Sequence, residues 1–349
     1  MVVAFTGGGT LGHVIPALTV YEKLKELEDI EAFYIGCGKE EDRKTVQSCG
    51  LEYYAVSTGK LRRYFSLRNL SDLGRVAAGF FQARRILKKR RPDVLFSKGG
   101  FVSVPAVLAA ASLHIRIVTH ESDFSLGLAN RINSRFASVL CLGFAGKAAE
   151  RANAVITGNP VRPDIVRAAQ ERIRAEDDFI LVLGGSQGAA QINRLVYDNL
   201  DKLTKRYRIY HQCGKSGDLS VRSRNYTQTE FIHDGLAQLM ARAKLIVSRA
   251  GANAVSEICT LGKASLLIPL SAASRGDQVE NAGYLLSHDA AAVSDGSDFV
   301  EKICLLMDDN RLNSRLARNA AQLAQGDAAL RIARIISGDR NDFVSDRIS

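Results

Sequence analysis

Three times along this chain a short run of β-branched or aromatic residues ends in glycines and passes into helically spaced apolar positions. Gly7-Gly8-Gly9-Thr10-Leu11-Gly12-His13 follows Val2–Phe5, Gly99-Gly100 follows Val94-Leu95-Phe96, and Gly184-Gly185-Ser186-Gln187-Gly188 follows Phe179–Leu183. Each junction reads as a strand, a tight turn and a helix N-terminus. That geometry presents free backbone N–H groups and a positive dipole end, which suit a phosphate or diphosphate. Two such loops so far apart, near residues 10 and 185, predict two α/β domains facing one cleft.

The pattern around the loops agrees. Strands are expected at 2–6, 31–36, 53–57, 93–97, 115–119 and 138–142, with helices at 14–27, 40–48, 72–90, 103–112 and 127–135 between them. Regular alternation of this kind is the sequence form of a doubly wound parallel sheet. Helix 14–27 carries the stripe Val14, Ala17, Leu18, Tyr21 and Leu24, with Pro16 in its first turn. At Thr157-Gly158-Asn159-Pro160-Val161-Arg162-Pro163 two prolines and a glycine stop helix and strand alike. The expected organisation is an N-terminal acceptor domain over 1–158, a linker over 159–165 and a second domain over 166–325. A helix and tail over 326–349 are expected to pack back on the N-terminal domain. In the second domain strands at 179–184, 207–212, 228–232, 244–248, 264–269 and 290–293 alternate with helices at 188–203, 235–242, 252–261 and 276–287.

Composition narrows the class. A chain of 349 residues is comfortable for two cores, and 46% apolar with 24% charged residues is globular rather than disordered. The apolar stretch 101–113 is too short to span a bilayer, and no basic region or cleavage site precedes the first strand, so no secretory signal is expected. Six cysteines are scattered with no C-x-x-C pair, which indicates neither zinc nor a disulfide framework and fits a reduced cytoplasm. The formal net charge of +10 is concentrated: residues 60–91 hold eleven Lys and Arg against one acid, Asp72, and the rest of the chain is neutral. A concentrated surplus implies an anionic partner. Here it flanks an apolar stripe, Leu73, Val76, Ala77, Phe80 and Leu87, with Phe81 beside it. Such a helix either packs on the sheet with its bases solvated or lies on an anionic membrane surface. Nucleic acid is not expected, since there is no recognised binding module and no tryptophan.

Gly7-x-Gly9-x-x-Gly12 matches the dinucleotide fingerprint, but the second strand ends in Gly36-Cys37-Gly38 rather than the acid that binds ribose. A nicotinamide site is therefore disfavoured, and structural glycines remain an alternative. His13 either bonds the turn or takes a proton from an attacking hydroxyl, a role that its ordinary pKa near 6.5 suits. Ser186 and Gln187 can add bonds to a diphosphate, or cap a helix. Arg162 can pair with phosphate or stand exposed. Glu257, four residues into a helix after Ser248-Arg249-Ala250-Gly251, can accept from both hydroxyls of a ribose or simply favour the dipole. Asp277 and Gln278, at the next polar helix start, can bond sugar hydroxyls.

Together these segments resemble one family, MurG, the N-acetylglucosaminyltransferases of bacterial peptidoglycan synthesis. The resemblance runs nearly the whole chain, through TGGGTLGHVIPAL, SKGGFVSVP, HES, TGNPVR, GGSQGAAQIN, SRAGANAVSE and SRGDQVENA. It implies a GT-B fold of two Rossmann-like domains. It also implies inverting, metal-independent transfer of GlcNAc from UDP-GlcNAc, a substrate rather than a cofactor, to the muramoyl 4-hydroxyl of lipid I. Donor contacts carry over onto Arg162, Ser186, the Ile232 backbone, Arg249, Glu257 and Gln278. Thr10, Leu11, Gly12 and His13 would lie by the transferred sugar, with His13 a candidate base. Gly8, Gly9, Gly99 and Gly100 would meet the acceptor diphosphate, and segment 60–91 would dock peripherally on the cytoplasmic face of the membrane. Two departures stand out. Leu11 replaces a glycine of the usual GGTGGH, and HEQN reads His120-Glu121-Ser122-Asp123, so that Asp123 stands in place of the amide that contacts the donor in some members. Rival readings are a glycolipid-forming transferase on diacylglycerol, a nucleotide-sugar 2-epimerase and a nonenzymatic UDP-sugar-binding protein.

Overall fold

Every strand pairing among the described residues is parallel. The chain must therefore cross over between strands, and helices cover the sheet faces. The computed structural model describes residues 1–59, 67–171, 178–184, 188–270 and 276–338, without the side chains of Leu11 and of 67–71. Ser186, Gln187 and the basic stretch 60–66 lie outside the described residues. The chain divides into two units at Pro160/Val161, with the part from Asp327 onward belonging to the first.

The first unit runs β1 (Val2–Thr6), α1 (Leu11–Leu27), β2 (Glu31–Gly36), α2 (Glu40–Ser48), β3 (Glu52–Ala55), α3 (Leu67–Arg90), β4 (Val94–Ser97), α4 (Ser103–Ser112), β5 (Arg116–Glu121), α5 (Leu128–Asn133), β6 (Val139–Leu142) and β7 (Ala154–Ile156). Its seven strands lie in the order β3-β2-β1-β4-β5-β6-β7, so the chain reverses direction of winding between β1 and β4. The strand period of two divides the core. Val3 and Phe5 of β1, Tyr34 of β2 and Val94 and Phe96 of β4 fill one face, while Ala4, Phe33, Ile35 and Leu95 fill the other. The first face is covered by the expected stripe of α1, Val14, Ala17, Leu18, Tyr21 and Leu24, all buried.

The second unit runs α6 (Pro163–Gln170), β8 (Phe179–Leu183), α7 (Ala190–Asp198), α8 (Leu200–Thr204), β9 (Arg208–Gln212), β10 (Tyr226–Thr229), α9 (Leu236–Arg242), β11 (Leu245–Ser248), α10 (Ala252–Leu261), β12 (Ser265–Leu267), α11 (Asp277–Ser287), β13 (Ala292–Val293), α12 (Phe299–Asp308) and α13 (Asn310–Gln322). Its six strands take the order β10-β9-β8-β11-β12-β13, with the reversal between β8 and β11. The last helix, α14 (Ala328–Ser337), returns to the first unit. There Ala329, Ile332, Ala333, Ile335 and Ile336 join the face covered by α1, and Arg116 Nη1 of β5 donates to the Ile336 carbonyl at 2.9 Å.

Several local expectations are corrected. α1 begins at Leu11, so Pro16 is its sixth residue and removes one helical hydrogen bond. Pro163 does not stop a helix but opens α6 at the first position, where a missing N–H costs nothing. The expected helix 188–203 is interrupted at Asn199. β10 ends at Thr229, which leaves Ile232 in the following loop. The stripe of α3 is split: Val76, Gly79, Ala83 and Leu87 point inward, whereas Leu73, Ala77 and Phe81 face outward.

Candidate active site

In an open parallel sheet the chain ends that flank the winding reversal leave a crevice at the carboxyl ends of two neighbouring strands. In the first unit those strands are β1 and β4, paired Thr6 to Ser97, and the two glycine turns follow directly. Gly7, Gly8 and Gly9 have φ of 151°, 130° and 88°, and Gly99 and Gly100 of 85° and 76°, all in the region that favours glycine. The turns are pressed together. A Cβ on Gly100 would sit 3.1 Å from the Gly8 carbonyl and 3.2 Å from His13 Nε2, and one on Gly9 would sit 2.7 Å from Phe101. Thr10 is the exposed N-cap of α1, Leu11 and Gly12 open the helix, and His13 is its third residue, bonding Thr10 O through its backbone N–H at 3.1 Å.

The Gly9 amide, however, is not free. Asp42, in the first turn of α2 and 2% exposed, accepts from Gly9 N at 3.2 Å, while Lys39 Nζ bonds the Gly9 carbonyl. Both polar groups of this backbone unit are thus held by the start of α2 and the Lys39 N-cap before it. A carboxylate stands where the sequence suggested a phosphate oxygen at Gly9.

His13 Nδ1 is buried with no hydrogen-bond partner. Burial, and then the neighbouring Lys98 ammonium, push the imidazole down to about 4, against the opposing effect of a hydrogen bond to the Lys98 backbone. The ring is neutral at pH 7, as a proton acceptor must be, but it is a weaker base than its ordinary pKa suggested. Behind it Lys98 is 1% exposed and bonds Ser122 Oγ. Burial pushes its amine down to about 8, with Glu121 and Asp123 opposing the shift. Glu121 accepts four bonds: from Ser122 N and Asp123 N on Oε1 at 2.8 and 3.1 Å, and from Gly127 N and Asn130 Nδ2 on Oε2 at 2.9 and 3.0 Å. Its carboxylate shapes the turn that carries Asp123.

The second unit places its candidates at the corresponding crevice, after β8 and β11. Arg249 follows β11, and its Nη1 donates to Gln191 Oε1 at 2.8 Å and to the Ile268 carbonyl at 2.9 Å. Gln278, second residue of α11, accepts from Leu270 N at 2.9 Å, and Asp277 begins the same helix after Gly276, at φ 89°. Arg162 and Glu257 are brought together, with Arg162 Nε 3.0 Å from Glu257 Oε1. Glu257 is the sixth residue of α10 rather than the fourth, in its second turn. Burial raises its carboxyl, and Arg162 opposes that shift. Arg162 Nη2 is buried without a partner, so the guanidinium keeps one unused donor beside the carboxylate. Ile232 N donates to Gln212 Oε1 at 3.0 Å, which engages its amide. No group of His, Cys, Asp or Glu among the described residues is arranged to hold a metal ion, and the six cysteines are free.

Of the residues expected to act, His13 and the two glycine turns meet in one crevice, and Arg162 meets Glu257 in another. Asp42, Lys98 and Asn130 were missed. A signal for Asp42 was the acid-rich start of helix 40–48, directly after the glycine-ended second strand.

Comparison with known proteins agrees with this architecture. Residues 3–140 match the Glycosyltransferase family 28 N-terminal domain, and residues 179–334 match the Glycosyltransferase family 28 C-terminal domain. A protein of Lachnospira eligens named UDP-N-acetylglucosamine–N-acetylmuramyl-(pentapeptide) pyrophosphoryl-undecaprenol N-acetylglucosamine transferase is 44% identical over 82% of this chain and 84% of its own. The crystal structure of Acinetobacter baumannii MurG superimposes with a TM-score of 0.78 at 26% identity, covering 97% of this chain and 99% of that one. The UDP-GlcNAc 2-epimerase from Neisseria meningitidis, in a structure bound to UDP-GlcNAc, has a TM-score of 0.69 at 15% identity over 97% and 100% of the two chains, a likeness of fold alone. The chain belongs to the MurG family of peptidoglycan synthesis and is a glycosyltransferase of GT-B fold.

Proposed function

We propose that this protein transfers GlcNAc from UDP-GlcNAc to the muramoyl 4-hydroxyl of lipid I, inverting the anomeric centre and giving lipid II and UDP. The observation that carries this reading is the 44% identity to a transferase named for N-acetylmuramyl-pyrophosphoryl-undecaprenol. In the proposed chemistry the acceptor O4 bonds the anomeric carbon while the bond from that carbon to the diphosphate oxygen breaks, and its electron pair leaves with UDP. The hydroxyl proton passes to His13, whose neutral ring and place beside the glycine turns support the assignment. Glu257 is read as the acceptor of the ribose hydroxyls and Arg162, paired with it, as a diphosphate donor. Arg249, Ser186, Gln187, Gln278, Asp277 and the loop of Ile232 complete the donor site in this reading. Gly8, Gly99 and Gly100 remain candidates for the acceptor diphosphate. The reaction is read as needing neither cofactor nor metal, since fixed cations and amides would stabilise the departing diphosphate.

The outward row Leu73, Ala77 and Phe81 of α3, with exposed Arg75, Arg85, Lys88 and Lys89 around it, supports peripheral docking on the cytoplasmic face of an anionic membrane. Not every base of the segment is available. Arg90 bonds Glu31 Oε1 at 2.5 Å and also pairs with Glu52, and Arg84 Nε donates to Ser112 Oγ at 3.2 Å. No described helix is long and apolar enough to cross a membrane.

The test is transfer of radiolabel from UDP-GlcNAc to a lipid I analogue, with a diacylglycerol control and a chelator arm. Label on lipid I alone, undiminished by chelator, supports the reading. Label on diacylglycerol overturns the acceptor, and loss of transfer on chelation overturns metal independence. Binding of UDP-GlcNAc with no transfer to either acceptor points to an epimerase or a binding protein.

A further inference from the structure

Among the described residues, Lys98 is a buried cation in the first unit's crevice to which the proposed mechanism gives no task. An ammonium taken out of water costs several kcal/mol unless it is well partnered, so its place inside the fold calls for a reason. Its backbone is fixed by the bond from Lys98 N to Thr6 O at 2.9 Å, and it immediately precedes Gly99. Its side chain reaches across to the turn after β5, where it donates to Ser122 Oγ. All three polar groups of Ser122 are then engaged: its N–H by Glu121, its carbonyl by Asn159 Nδ2 at 3.0 Å, and its hydroxyl by Lys98. Ser122 and Asp123 are where this chain departs from the usual HEQN.

We propose that Lys98 is a positioning residue, whose ammonium ties the glycine turn 99–100 to the Ser122–Asp123 turn and sets the charge beside His13. The titratable groups that face it come from three sides: His13 of α1, His120 and Glu121 of β5 with Asp123 after it, and Cys141 of β6. The two carboxyls stabilise the ammonium, the Cys141 thiol stays protonated beside it, and the ammonium disfavours a proton on either histidine. Asn130 completes the arrangement, bonding Glu121 and the His120 carbonyl while its amide occupies the space that a Cβ on Gly99 would need. Displacement of the ammonium would therefore move the turn and the charge together.

The activity arm of the test rests on the transferase reading with His13 as base, but the first measurement does not. In full-length protein labelled at histidine Cε1, the His13 resonance is assigned by its loss in His13→Ala and titrated by NMR. Lys98→Met is expected to raise the His13 midpoint from about 4 by about one unit, while Lys98→Arg leaves it near the wild-type value. An unchanged midpoint in a folded Lys98→Met protein would overturn the proposal. So would a Lys98→Arg midpoint that moves as far as that of Lys98→Met. Should Lys98→Met fail to fold, Ser122→Ala takes its place, because removal of the ammonium's hydrogen-bond partner is also expected to shift the His13 midpoint, and no shift overturns the proposal. In transfer assays Lys98→Met and Ser122→Ala are expected to be non-additive, the double variant lying within about threefold of Lys98→Met in kcat. Additive losses would rule out action through Ser122. If the wild type transfers no sugar to lipid I, the functional reading falls, and the histidine titration still decides the role of Lys98.

Discussion

At the scale of single residues, the proposed chemistry rests on two environments: the neutral imidazole of His13 with the Lys98 ammonium near it, and the Arg162–Glu257 pair. If His13 is the base, His13→Ala should lower kcat by about 10²–10⁴-fold with UDP-GlcNAc binding retained, and a loss below tenfold in steady-state assays would remove it from that role. The pH profile follows in sign. A base must be unprotonated, and the folded-state value is about 4, so kcat/KM should hold through pH 6.5 and fall only as pH approaches 4. A limb near 6.5 would mean that substrate or solvent reaches the ring and relieves its burial. His13 and Arg162 could be placed from the sequence because they stand at helix starts that the glycines and prolines announce, whereas Glu257 lies a turn deeper in α10 than its spacing from Gly251 suggested. Asp42 could not be placed. It lies 33 residues from the Gly9 amide that it holds, and only the pairing of β1 with β2 brings α2 to the loop.

At the scale of elements, the glycine turn depends on its neighbours as well as on its own glycines. Asp42→Ala would leave the buried Gly9 N–H without an acceptor, at about 1–3 kcal/mol. The expected outcome is a lower urea midpoint and a reduced kcat/KM for the lipid acceptor, with an unchanged Kd for UDP-GlcNAc by calorimetry. A change confined to donor affinity would contradict the assignment of this loop to the acceptor side. For α3, Phe81→Glu puts a charge in the outward apolar row, where Phe81 is 69% exposed. Co-sedimentation with anionic vesicles should fall several-fold while activity on a water-soluble acceptor persists, and undiminished sedimentation would locate the docking face elsewhere. The periodicity of α3 marked an amphipathic helix but could not apportion its apolar residues. A stripe of five is wider than the ridge that α4 and the sheet cover, and the remainder faces out. The turn-forming prolines misled in the opposite direction, since Pro163 breaks a helix interior and begins one equally well.

At the scale of the whole molecule, burial of uncharged histidines ties stability to pH. His120 is 0% exposed and held well below its ordinary value by burial and then by Lys98, and burial places His211 at about 4. In the unfolded chain both take up protons near pH 6.5, whereas in the folded chain they resist until far lower. Stability is therefore whole above pH 6.5 and declines as pH falls toward 4, with His211 alone contributing on the order of 3 kcal/mol of that loss. Urea titrations at pH 7 and pH 4.5 should show the decline, and His211→Gln should make it smaller. An equal decline in that variant would place the acid sensitivity elsewhere. The two doubly wound parallel sheets were legible from the strand–glycine–helix rhythm, because parallel strands require the crossovers that such a rhythm encodes, whereas the GT-B assignment came with the family resemblance.

The return of α14 to the first unit has a consequence for biosynthesis. The second unit is one continuous stretch, Val161–Gly326, and leaves the ribosome as a finished piece. The first unit has its seven strands by Ile156, yet it lacks α14, which packs against α1 and joins the same core, until residue 338 emerges. At roughly 5–20 residues per second that wait lasts on the order of ten seconds or more. During that interval the nascent chain carries an uncovered apolar face on a sheet otherwise complete. The part made first is therefore completed last, and the surface of α1 that α14 covers is the last of its core to be closed.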